Sequence, residues 1–527
     1  MPVPKKIEIN DEFRKALELM EGTNSHVFVT GKAGTGKSTL LEHFRTVTGK
    51  KIAVLAPTGV AALNVDGQTV HSFCRFKPGV TLDTVKKARG EGADLYRNLD
   101  AVVIDEISMV RADLLDCVEK FLRLNGRRPK AWFGGTQMIF IGDLYQLPPV
   151  VTTPEKDIFS GRYETPYFFS SKIFTEPTFD MELVELEKVY RQTDAEFVRL
   201  LNAFRNGSVT AEDVALLNEK LDPAFTPPDR DFYITLTSTN DLAGQRNREK
   251  LDRLRGKAWT SRGELDGEFE RSSLPADELL ELKAGAQVML VNNDRQGRWV
   301  NGSIGRVAGF SRGEEGHDRV LVELRDGPTV EVEPWVWELF RYGYDKEANR
   351  IYAEPTGSFT QYPLKLAWAV TIHKSQGKTF DRVVVDIGRG TFAHGQLYVA
   401  LSRCTNFPGL VLRTRVGRQH IRLDYRVIRF LTRYQYRKAE ERLSYADKKA
   451  LIRRAIRSRG ELNIVYLKTD DAKTRRRIRP ESIEMMEYRG KAFEGVRAFC
   501  HKRGEPRTFR IDRMLEVDEV RAGESKG

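Results

Sequence analysis

Cysteine is scarce in this sequence. Its 527 residues include four cysteines, Cys74, Cys117, Cys404 and Cys500, which lie far apart and form no Cys-x-x-Cys pair. The eight histidines do not cluster with them. A disulfide framework and a zinc or iron–sulfur centre held by cysteine are therefore not indicated.

Long apolar runs are also missing. No stretch stays apolar over the roughly 20 residues that a membrane-spanning helix requires. The first residues, MPVPKKIEINDEF, include lysines but lack the apolar segment of a secretory signal. We therefore expect no membrane contact and a cytoplasmic location, with a nucleus or an organelle left open.

Negative charge is in the minority. The net charge is +12 and the pI is near 9.3, which favours a polyanionic partner but is equally compatible with a solvated basic surface. Hydrophobic residues make up 40% and charged residues 30% of the chain, as in a folded globular protein. A chain of this length exceeds one hydrophobic core, so we expect several domains.

Short apolar runs alternate with helical stretches in the first part of the chain. HVFVT, KIAVLA, AVVIDE and MIFIGD each end at polar or glycine-containing turns. Such strands, separated by helices, predict a parallel α/β sheet whose chemistry lies at the carboxyl ends of the strands. A second set of this kind follows (DFYITLTST, DRVVVDIG, GLVLRT), and hairpin-like strands with DG and NG turns between its members predict an inserted β-barrel.

A phosphate-binding loop follows the first predicted strand. Residues 31–38 read GKAGTGKS, which fits the pattern GxxxxGK[ST], and the helix STLLEHFR comes directly after. A plain glycine turn at a helix start is the alternative. The pattern predicts that Lys37 reaches the β- and γ-phosphates of ATP and that the Ser38 hydroxyl binds Mg²⁺. The predicted phosphate-binding residues are Gly31, Ala33, Gly34, Thr35, Gly36, Lys37, Ser38 and Thr39.

An acidic pair closes the strand AVVI. Such a pair is commonplace alone, but after a phosphate-binding loop it predicts that Asp105 holds the Mg²⁺ and that Glu106 polarises the attacking water. Hydrolysis also needs positive charge at the leaving γ-phosphate, and a supplied arginine is worth roughly 10³–10⁵ in rate. Most arginines face solvent, so the residues alone do not select one.

Seven blocks, in order from about residue 27 to 411, carry a family resemblance. They read GKAGTGKST, LAPTGVAALNVDGQTVHSF, DEIS, FGGTQMIFIGDLYQLPPV, VYRQ, AWAVTIHKSQGKTF and GQLYVALSRC. The chain resembles the PIF-type (petite integration frequency) DNA helicases, of superfamily one and 5′→3′ polarity, with RecD-like motors as near relatives. Phe133, Gly134, Gly135 and Gln137 are similar to the element that separates the PIF type from other relatives, although Trp132 stands where the family usually has proline.

The resemblance implies further roles at the nucleotide. Gln146 is expected to sense the γ-phosphate, and Arg191 and Arg403 are expected to act as arginine fingers from the second lobe. The family usually carries a glutamine before the phosphate-binding loop to read adenine, and this sequence has none there. Asn10 is the candidate substitute, so selectivity for adenine stays open.

The resemblance also implies a DNA path. Thr58, Gly59 and His71 in the second block, and Thr371, His373, Lys374 and Gln376 in TIHKSQG, are expected to grip strand phosphates without reading bases. Buried, hydrogen-bonded side chains are the alternative for the two histidines. Trp299, in the basic RQGRWVNG segment, is expected either to stack on a base or to fill the barrel.

The last part of the chain resembles a WYL domain, a small β-rich module of bacterial nucleic-acid regulators and some helicases. Val465-Tyr466-Leu467 matches the namesake triad without its tryptophan, and RRRIRP and YRGKAFEGVRAFCHKRGEPRTFRIDRM match further. The pairing implies a bacterial source. A basic and aromatic set is predicted to bind an unpaired strand or another ligand, with a salt-bridged surface as the alternative; it comprises Tyr466, Arg477, Arg507, Phe509, Arg510 and Arg513.

We therefore predict a mixed α/β fold of two RecA-like, parallel-sheet P-loop domains with a small β-barrel insertion and a small β-rich C-terminal domain. The expected limits are 1–180 for the first RecA-like domain, with a small insertion near 64–90, 181–265 with 360–430 for the second, 266–359 for the barrel, 431–460 for a basic helical linker and 461–527 for the WYL-like domain.

The predicted function is that of a monomeric, DNA-stimulated helicase that uses ATP and Mg²⁺. It would move 5′→3′ on single-stranded DNA and unwind forked or tailed duplexes in replication, repair, recombination or genome maintenance. Two rivals stay open: a P-loop ATPase switch independent of DNA, and a helicase acting on RNA or RNA–DNA hybrids, since no motif reveals contacts to a 2′-hydroxyl. Forks, R-loops and G-quadruplex DNA all stay open as the structure unwound.

Overall fold

The chain forms two compact units. The computed structural model describes residues 8–89, 92–151, 159, 161–192, 194–269, 271–313, 318–388, 390, 393–468, 473–488 and 490–520. The first unit runs to Arg205 and continues over Val209–Arg422, and the second comprises Asn206–Ser208 and the residues from Leu423 onward. None of the described helices is both long and apolar enough to cross a membrane.

The helices of the first unit are short and mostly amphipathic. Their starts are fixed by local chemistry: the side chain of Asn10, for example, accepts a hydrogen bond from the Phe13 N–H and caps the first helix. They are α1 (Asp11–Gly22), α2 (Lys37–Val47), α3 (Gly59–Asn64), α4 (Val70–Phe73), α5 (Gly92–Asn98), α6 (Ala112–Asn125), α7 (Ala195–Asn206), α8 (Ala211–Asn218), α9 (Asn240–Arg253) and α10 (Gln396–Leu401).

Six parallel strands build the first lobe. Because both faces of the sheet are covered, its central strands are almost entirely apolar and buried. The strands are β1 (His26–Gly31), β2 (Ile52–Ala56), β3 (Gln68–Thr69), β4 (Ala101–Ile104), β5 (Gln137–Gly142) and β6 (Met181–Leu186), arranged in the order β3-β2-β4-β5-β1-β6.

The expected end of the first domain at residue 180 is wrong. The strand β6 pairs in parallel with β1 over its whole length, from Met181 opposite His26 to Leu186 opposite Gly31. It is therefore the edge strand of the first sheet, and Val184 and Leu186 belong to the core of the first lobe.

The rest of the first unit holds a second parallel sheet and a β-rich insert. The strands, in chain order, are β7 (Ile234–Thr237), β8 (Trp259–Arg262), β9 (Glu264–Gly267), β10 (Leu279–Leu282), β11 (Gln287–Leu290), β12 (Ile304–Arg312), β13 (Asp318–Leu324), β14 (Thr329–Val332), β15 (Trp335–Asp345), β16 (Arg350–Gln361), β17 (Leu364–Leu366), β18 (Ala369–Thr371), β19 (Val383–Asp386) and β20 (Leu410–Leu412).

The second lobe is the parallel sheet β18-β7-β19-β20. The insert comprises an antiparallel sheet β14-β13-β12-β11-β17, the pair β10-β8 and the long hairpin β15-β16 with β9. One apolar core joins the first two of these sheets. The expected limits of the insert, 266–359, are too narrow, since β8 and β17 outside them pair with strands inside.

The second unit is an antiparallel sheet with two helices. The helices are α11 (Tyr425–Arg442) and α12 (Tyr445–Ser458), and the strands are β21 (Leu462–Leu467), β22 (Lys473–Tyr488), β23 (Lys491–Cys500), β24 (Glu505–Arg510) and β25 (Met514–Glu519), in the order β24-β23-β22-β21-β25. Ile452 and Ala455 of α12 lie in the core of this sheet. The expected linker over 431–460 is therefore wrong: its helices are part of the second unit.

Candidate active site

Two glycines shape the turn between β1 and α2. Gly36 caps α2 in the left-handed conformation with φ of 89°, and Gly34 has φ of 79°. A Cβ atom on Gly34 would lie 2.4 Å from the Cβ of Arg191. Glycine is thus required at both positions, by backbone conformation and, at Gly34, by close approach.

Lys37 begins α2 and folds back over the loop. Its Nζ donates to the carbonyl oxygens of Gly31 and Lys32, at 2.8 and 3.0 Å. Burial lowers the pKa of Lys37, and the carboxylates of Asp143 and Glu106 act in the opposite direction. An ammonium has three donors, so one remains for a phosphate oxygen. Ser38, one residue on, is exposed at the same helix start.

Asp105 and Glu106 follow β4 directly. Burial, and secondly the neighbouring Asp105, raise the pKa of Glu106 to about 7, while Lys37 and Arg403 oppose this shift. Burial likewise raises the pKa of Asp105. Two carboxylates confined beside a lysine form a site that favours a bound cation or a shared proton.

Gln376 reaches into this site from the second lobe. Its Nε2 donates to Oε2 of Glu106 at 3.2 Å and to Oε1 of Gln146 at 3.3 Å. The sequence assigns Gln376 to the DNA path, whereas the structure places its amide beside the candidate catalytic carboxylate. Gln146, expected at the γ-phosphate, lies at the same point.

The two candidate finger arginines lie where the second lobe meets the first. Arg403 is 1% exposed and donates to the carbonyl oxygens of Ser375 and Lys378, at 3.4 and 3.2 Å. Burial, and secondly Arg191, lower the pKa of Arg403 to about 9. Arg191, in the segment after β6, donates to the Ser402 carbonyl oxygen at 3.4 Å. Both arginines are therefore held by main-chain oxygens of the second lobe.

Three buried residues at the site escape sequence reasoning. The hydroxyl of Tyr398, on α10, accepts the Ala33 N–H of the phosphate-binding loop at 3.1 Å and donates to Asp143 at 3.5 Å. Arg205, on α7, pairs with Asp143 at 3.3 Å. Tyr398 and Asp143 lie inside motif blocks, which was a usable signal, whereas Arg205 lies outside all of them.

Asn10 does not present a free amide for reading adenine. Its Oδ1 accepts the Phe13 N–H at 2.8 Å, and its Nδ2 donates to the Tyr190 hydroxyl at 3.4 Å. The N–H of Tyr190 in turn donates to the Gly34 carbonyl oxygen at 2.8 Å. Tyr190 is 43% exposed. An aromatic ring therefore lies beside the phosphate-binding loop at a place that the sequence did not single out.

The first-lobe candidates for DNA contact lie at helix starts. The Thr58 hydroxyl oxygen accepts the Ala61 N–H at 3.2 Å and caps α3. Gly59 is buried, and a Cβ there would lie 2.4 Å from the Cβ of Ser273 in the insert. His71 lies in α4, directly after β3. These positions follow the carboxyl ends of parallel strands, as expected.

The second-lobe candidates follow β18. The Thr371 hydroxyl oxygen accepts the Lys374 N–H at 3.2 Å, and burial lowers the pKa of His373. Thr371 and Lys374 line a cleft of about 340 Å³. Its other polar and charged lining residues, which the sequence did not indicate, are Asn240, Asn247, Arg248, Asp277, Glu281 and Lys365.

The predicted contact of Trp299 with DNA is wrong. Trp299 is 6% exposed and packs in the core of the insert with residues such as Val288 and Val307. Its indole N–H donates to Oδ1 of Asn292 at 3.0 Å. The alternative, an aromatic side chain that fills the barrel, is the one that the structure shows.

The C-terminal candidate set is mostly engaged within its own unit. Phe509 is 5% exposed and contacts Tyr466 edge-on in the core, so the expectation that it stacks on a base is wrong. The arginines have nearby carboxylate partners: Arg477 pairs with Glu461 at 2.5 Å, Arg507 with Glu505 and Arg510 with Asp512 at 2.7 Å. Within the described ranges, Arg513 makes no ion pair.

Fold and site together define a P-loop nucleotide-binding protein with two parallel-sheet lobes. Comparison with family models adds three matches: PIF1-like helicase over residues 8–215, UvrD-like helicase C-terminal domain over 366–406 and WYL domain over 447–519. The WYL match begins within α12, in agreement with the packing of that helix.

Known proteins resemble the chain over most of its length. It is 36% identical to the ATP-dependent DNA helicase PIF1 of Danio rerio over 78% of this chain and 61% of the relative. It is 34% identical to the ATP-dependent DNA helicase Pif1 of Bdellovibrio bacteriovorus, over 78% and 89%. The chain belongs to the PIF1-like helicase family, and it spans about 60% of the first vertebrate relatives that it matches.

Solved structures agree. The Bacteroides sp Pif1 complex with ADP-AlF4 is 36% identical and superimposes with a TM-score of 0.74, covering 81% of this chain and 97% of that one. For Bacteroides Pif1 bound to ssDNA the identity is 35% and the TM-score 0.59, over 81% and 96%.

Replacement of Trp299 should affect stability and not DNA binding. Trp299→Ala should cost about 3–5 kcal/mol of unfolding free energy, as for other large-to-small core changes. Trp299→Phe, which keeps the ring but loses the bond to Asn292, should cost about 1 kcal/mol. Denaturant unfolding and single-strand binding of folded protein measure both effects. A tenfold loss of DNA affinity in the folded fraction of Trp299→Ala, with Trp299→Phe unaffected, would restore the stacking role.

Proposed function

We propose that this protein is an ATP-dependent DNA helicase that moves 5′→3′ along single-stranded DNA and unwinds tailed or forked duplexes. One observation carries the proposal. The last residue of β18, Thr371, and the loop that follows it hold the DNA candidates Thr371 and Lys374 together with Gln376, whose amide contacts Glu106 and Gln146 in the other lobe. Because the loop is short, a change at the nucleotide must move the DNA contacts.

The residues present fit ATP and Mg²⁺. Lys37 and the N–H groups at the start of α2 would hold the phosphates, and Ser38 and Asp105 would hold the cation. Among the described residues no cluster of three or more histidine, cysteine or carboxylate side chains could hold a metal ion alone. Sharing with phosphate oxygens is how Mg²⁺ is usually bound. The cation would neutralise charge on the phosphates, and Glu106 would orient the attacking water.

The relatives support a DNA substrate. The vertebrate and bacterial relatives described above are named ATP-dependent DNA helicases, and the ssDNA-bound Bacteroides protein shares 35% of its aligned residues. In this chain, hydroxyl and amide groups at Thr58, Thr371 and Asn240 lie at helix starts or strand ends. Such groups grip phosphates irrespective of base sequence.

The finger assignment predicts a kinetic signature. Arg403→Ala should lower DNA-stimulated turnover by about 10³-fold or more, because its charge acts chiefly in the transition state. Lys37→Ala should abolish hydrolysis and leave single-strand binding largely intact. Steady-state ATPase assays and fluorescence anisotropy separate the two. Arg418→Ala, on the same lobe but outside the site, is the control, and an Arg403→Ala variant with near-normal turnover would refute the assignment.

The proposed 5′→3′ polarity predicts which DNA substrates are unwound. Unwinding should require a 5′ single-stranded tail, and matched DNA and RNA strands should stimulate ATPase activity unequally, with DNA preferred. A strand-displacement panel with 5′ tails, 3′ tails and blunt ends measures the first, and ATPase rates at saturating oligonucleotide measure the second. Preference for 3′ tails would overturn the polarity, and hydrolysis unaffected by any strand would favour an ATPase switch.

We further propose that the second unit contacts the strand. Residues 423–527 carry 28 Lys and Arg against 17 Asp and Glu, a net charge of +11 out of +12 for the whole chain. Arg475 and Arg479 lie four residues apart on the same face of β22. Within the described residues, neither has a carboxylate partner. Arg479 lies over the ring of Phe499, which is half-buried on the next strand. Arginines beside a partly exposed ring suit an unpaired strand.

Salt dependence tests the second unit. A chain ending at Arg422 should keep DNA-stimulated ATPase activity, because every motor residue precedes that point. The triple change Arg475→Ala, Arg479→Ala and Arg513→Ala in the full chain should lower the log–log salt slope of single-strand binding by about 2, at roughly 0.7 for each lost phosphate contact. Arg507→Ala, whose side chain pairs with Glu505, is the control. An unchanged slope in the triple variant would mean that this surface does not touch DNA.

A further inference from the structure

Arg205 is a buried arginine without an assigned role. It lies near the end of α7, outside every motif block, and is 4% exposed. Its guanidinium lies 4.2 Å from the ring centre of Tyr145 and pairs with Oδ1 of Asp143 at 3.3 Å. An arginine in the interior must be compensated by several partners, because desolvating its charge is costly.

The hydrogen bonding of Arg205 is incomplete. Nε of Arg205 is fully buried and, within the described part of the chain, makes no hydrogen bond. A buried donor without a partner is rare in folded proteins and often marks a functional constraint. The charge of Arg205 also lowers the pKa of Lys37, secondary to burial, so the guanidinium lies within electrostatic reach of the phosphate-binding lysine.

Asp143 connects Arg205 to both lobes. The carboxylate of Asp143 is completely buried, and Oδ2 accepts Nε2 of Gln146 at 3.3 Å and the Tyr398 hydroxyl at 3.5 Å. Gln146 extends this hydrogen-bond network to Gln376, and Tyr398 extends it to the Ala33 N–H. Every step of this network is a hydrogen bond between buried or half-buried groups.

The start of α10 fixes the same point sterically. Gly395 has φ of 70°, and a Cβ there would lie 2.3 Å from the carbonyl oxygen of Tyr145 and 2.5 Å from that of Gln146. The segment Asp143–Gln146 thus contacts the second lobe at Gly395 and contacts Arg205 through Asp143 and Tyr145. Its position cannot change without moving one of them.

We propose that Arg205 is a positioning residue of the ATPase site, which holds Asp143 so that Gln146 and Tyr398 are aligned when the two lobes close on the nucleotide. The inference rests on the proposed ATPase function. Arg205 balances the charge of Asp143. Without the guanidinium of Arg205, Asp143 is no longer held in place. Gln146 then loses its fixed acceptor, and Tyr398 loses the partner that aims its hydroxyl at the phosphate-binding loop.

A set of variants in the full chain tests this role. Arg205→Met removes the charge at similar length and should lower the kcat of DNA-stimulated hydrolysis by about a hundredfold, as small misplacements of catalytic groups do, with KM for ATP changed much less. Arg205→Lys keeps a charge and should recover part of the loss. Arg199→Met is the matched control, since Arg199 lies on the same helix and pairs with Asp213 at an exposed position.

Two double variants separate positioning from folding. Asp143→Asn with Arg205→Met removes both charges and leaves a neutral network of the same shape, so it should fold normally, as thermal unfolding would show, and still hydrolyse slowly. Gln146→Ala with Arg205→Met should lose less activity than the product of the two single losses, because both changes act in part through the contact between Asp143 and Gln146.

The outcomes are distinct. Normal kcat in a folded Arg205→Met variant, or in the doubly neutral variant, would overturn the proposal, and so would strictly multiplicative losses with Gln146→Ala. A loss confined to KM would show instead that Arg205 acts on ground-state binding, which also overturns it. Absence of hydrolysis in the unaltered protein would count against the proposed ATPase and not against the role of Arg205.

Discussion

The structure of the motor depends on balancing buried charge. Asp105, Glu106 and Asp143 lie within electrostatic reach of Lys37; Asp143 is completely buried, and Asp105 and Glu106 are half-buried. Carboxylates so confined are stable only if cations or hydrogen-bond donors meet them. Lys37 comes from the first lobe, whereas Arg403 and Tyr398 come from the second. The first lobe therefore relies on the second for groups that its own carboxylates require.

On the proposed function, this dependence would couple ATP hydrolysis to DNA binding across the cleft. Gln376 and Tyr398 form hydrogen bonds with first-lobe atoms at the nucleotide site, and Arg403 acts on Glu106 through its charge. Gln376 lies in the segment that also carries the DNA candidates of the second lobe. A triphosphate brings its own negative charge and competes for the same donors. Binding and hydrolysis must then redistribute contacts between lobes, which is the physical requirement for chemistry that gates motion.

Local chemistry made part of this structure predictable. The phosphate-binding loop, the acidic pair after β4 and the alternation of strands and helices follow from turn residues and buried apolar runs. Domain limits failed where pairing is not local: β6 joins the first sheet through β1, more than 150 residues earlier, and nothing in MELVEL specifies that partner. Likewise α12 reads as a basic linker until the sheet that covers Ile452 is known.

Side-chain roles failed for a related reason. Trp299 stands among basic residues, which suggests an exposed ring. In the structure, Arg298 pairs with Asp294 and lies over the ring of Trp299. The indole itself packs in the core of the insert. Phe509 stands beside Arg510 in the sequence, but successive residues of a strand face opposite sides of a sheet, so the ring of Phe509 lies in the core. Arg205 has no motif around it, and only the fold brings it to Asp143. Such contacts are set by tertiary structure, to which single-sequence patterns are blind.

Positive charge is distributed unequally between the two units, so on the proposed function they would contribute differently to the binding of a polyanion. Residues 1–422 carry 58 Lys and Arg against 57 Asp and Glu, so the motor is almost neutral, and the basic character of the chain belongs to residues 423–527. On the proposed function, an almost neutral motor that holds phosphates largely through hydroxyl and amide groups would displace few counterions, so that its affinity would vary little with salt. A strongly basic unit does the opposite: it raises the local concentration of nucleic acid and loses that effect as salt rises. If the second unit contacts the strand as proposed, the short-range contacts that the motor releases at every step would lie in one unit. The long-range attraction, which persists between steps, would lie in the other.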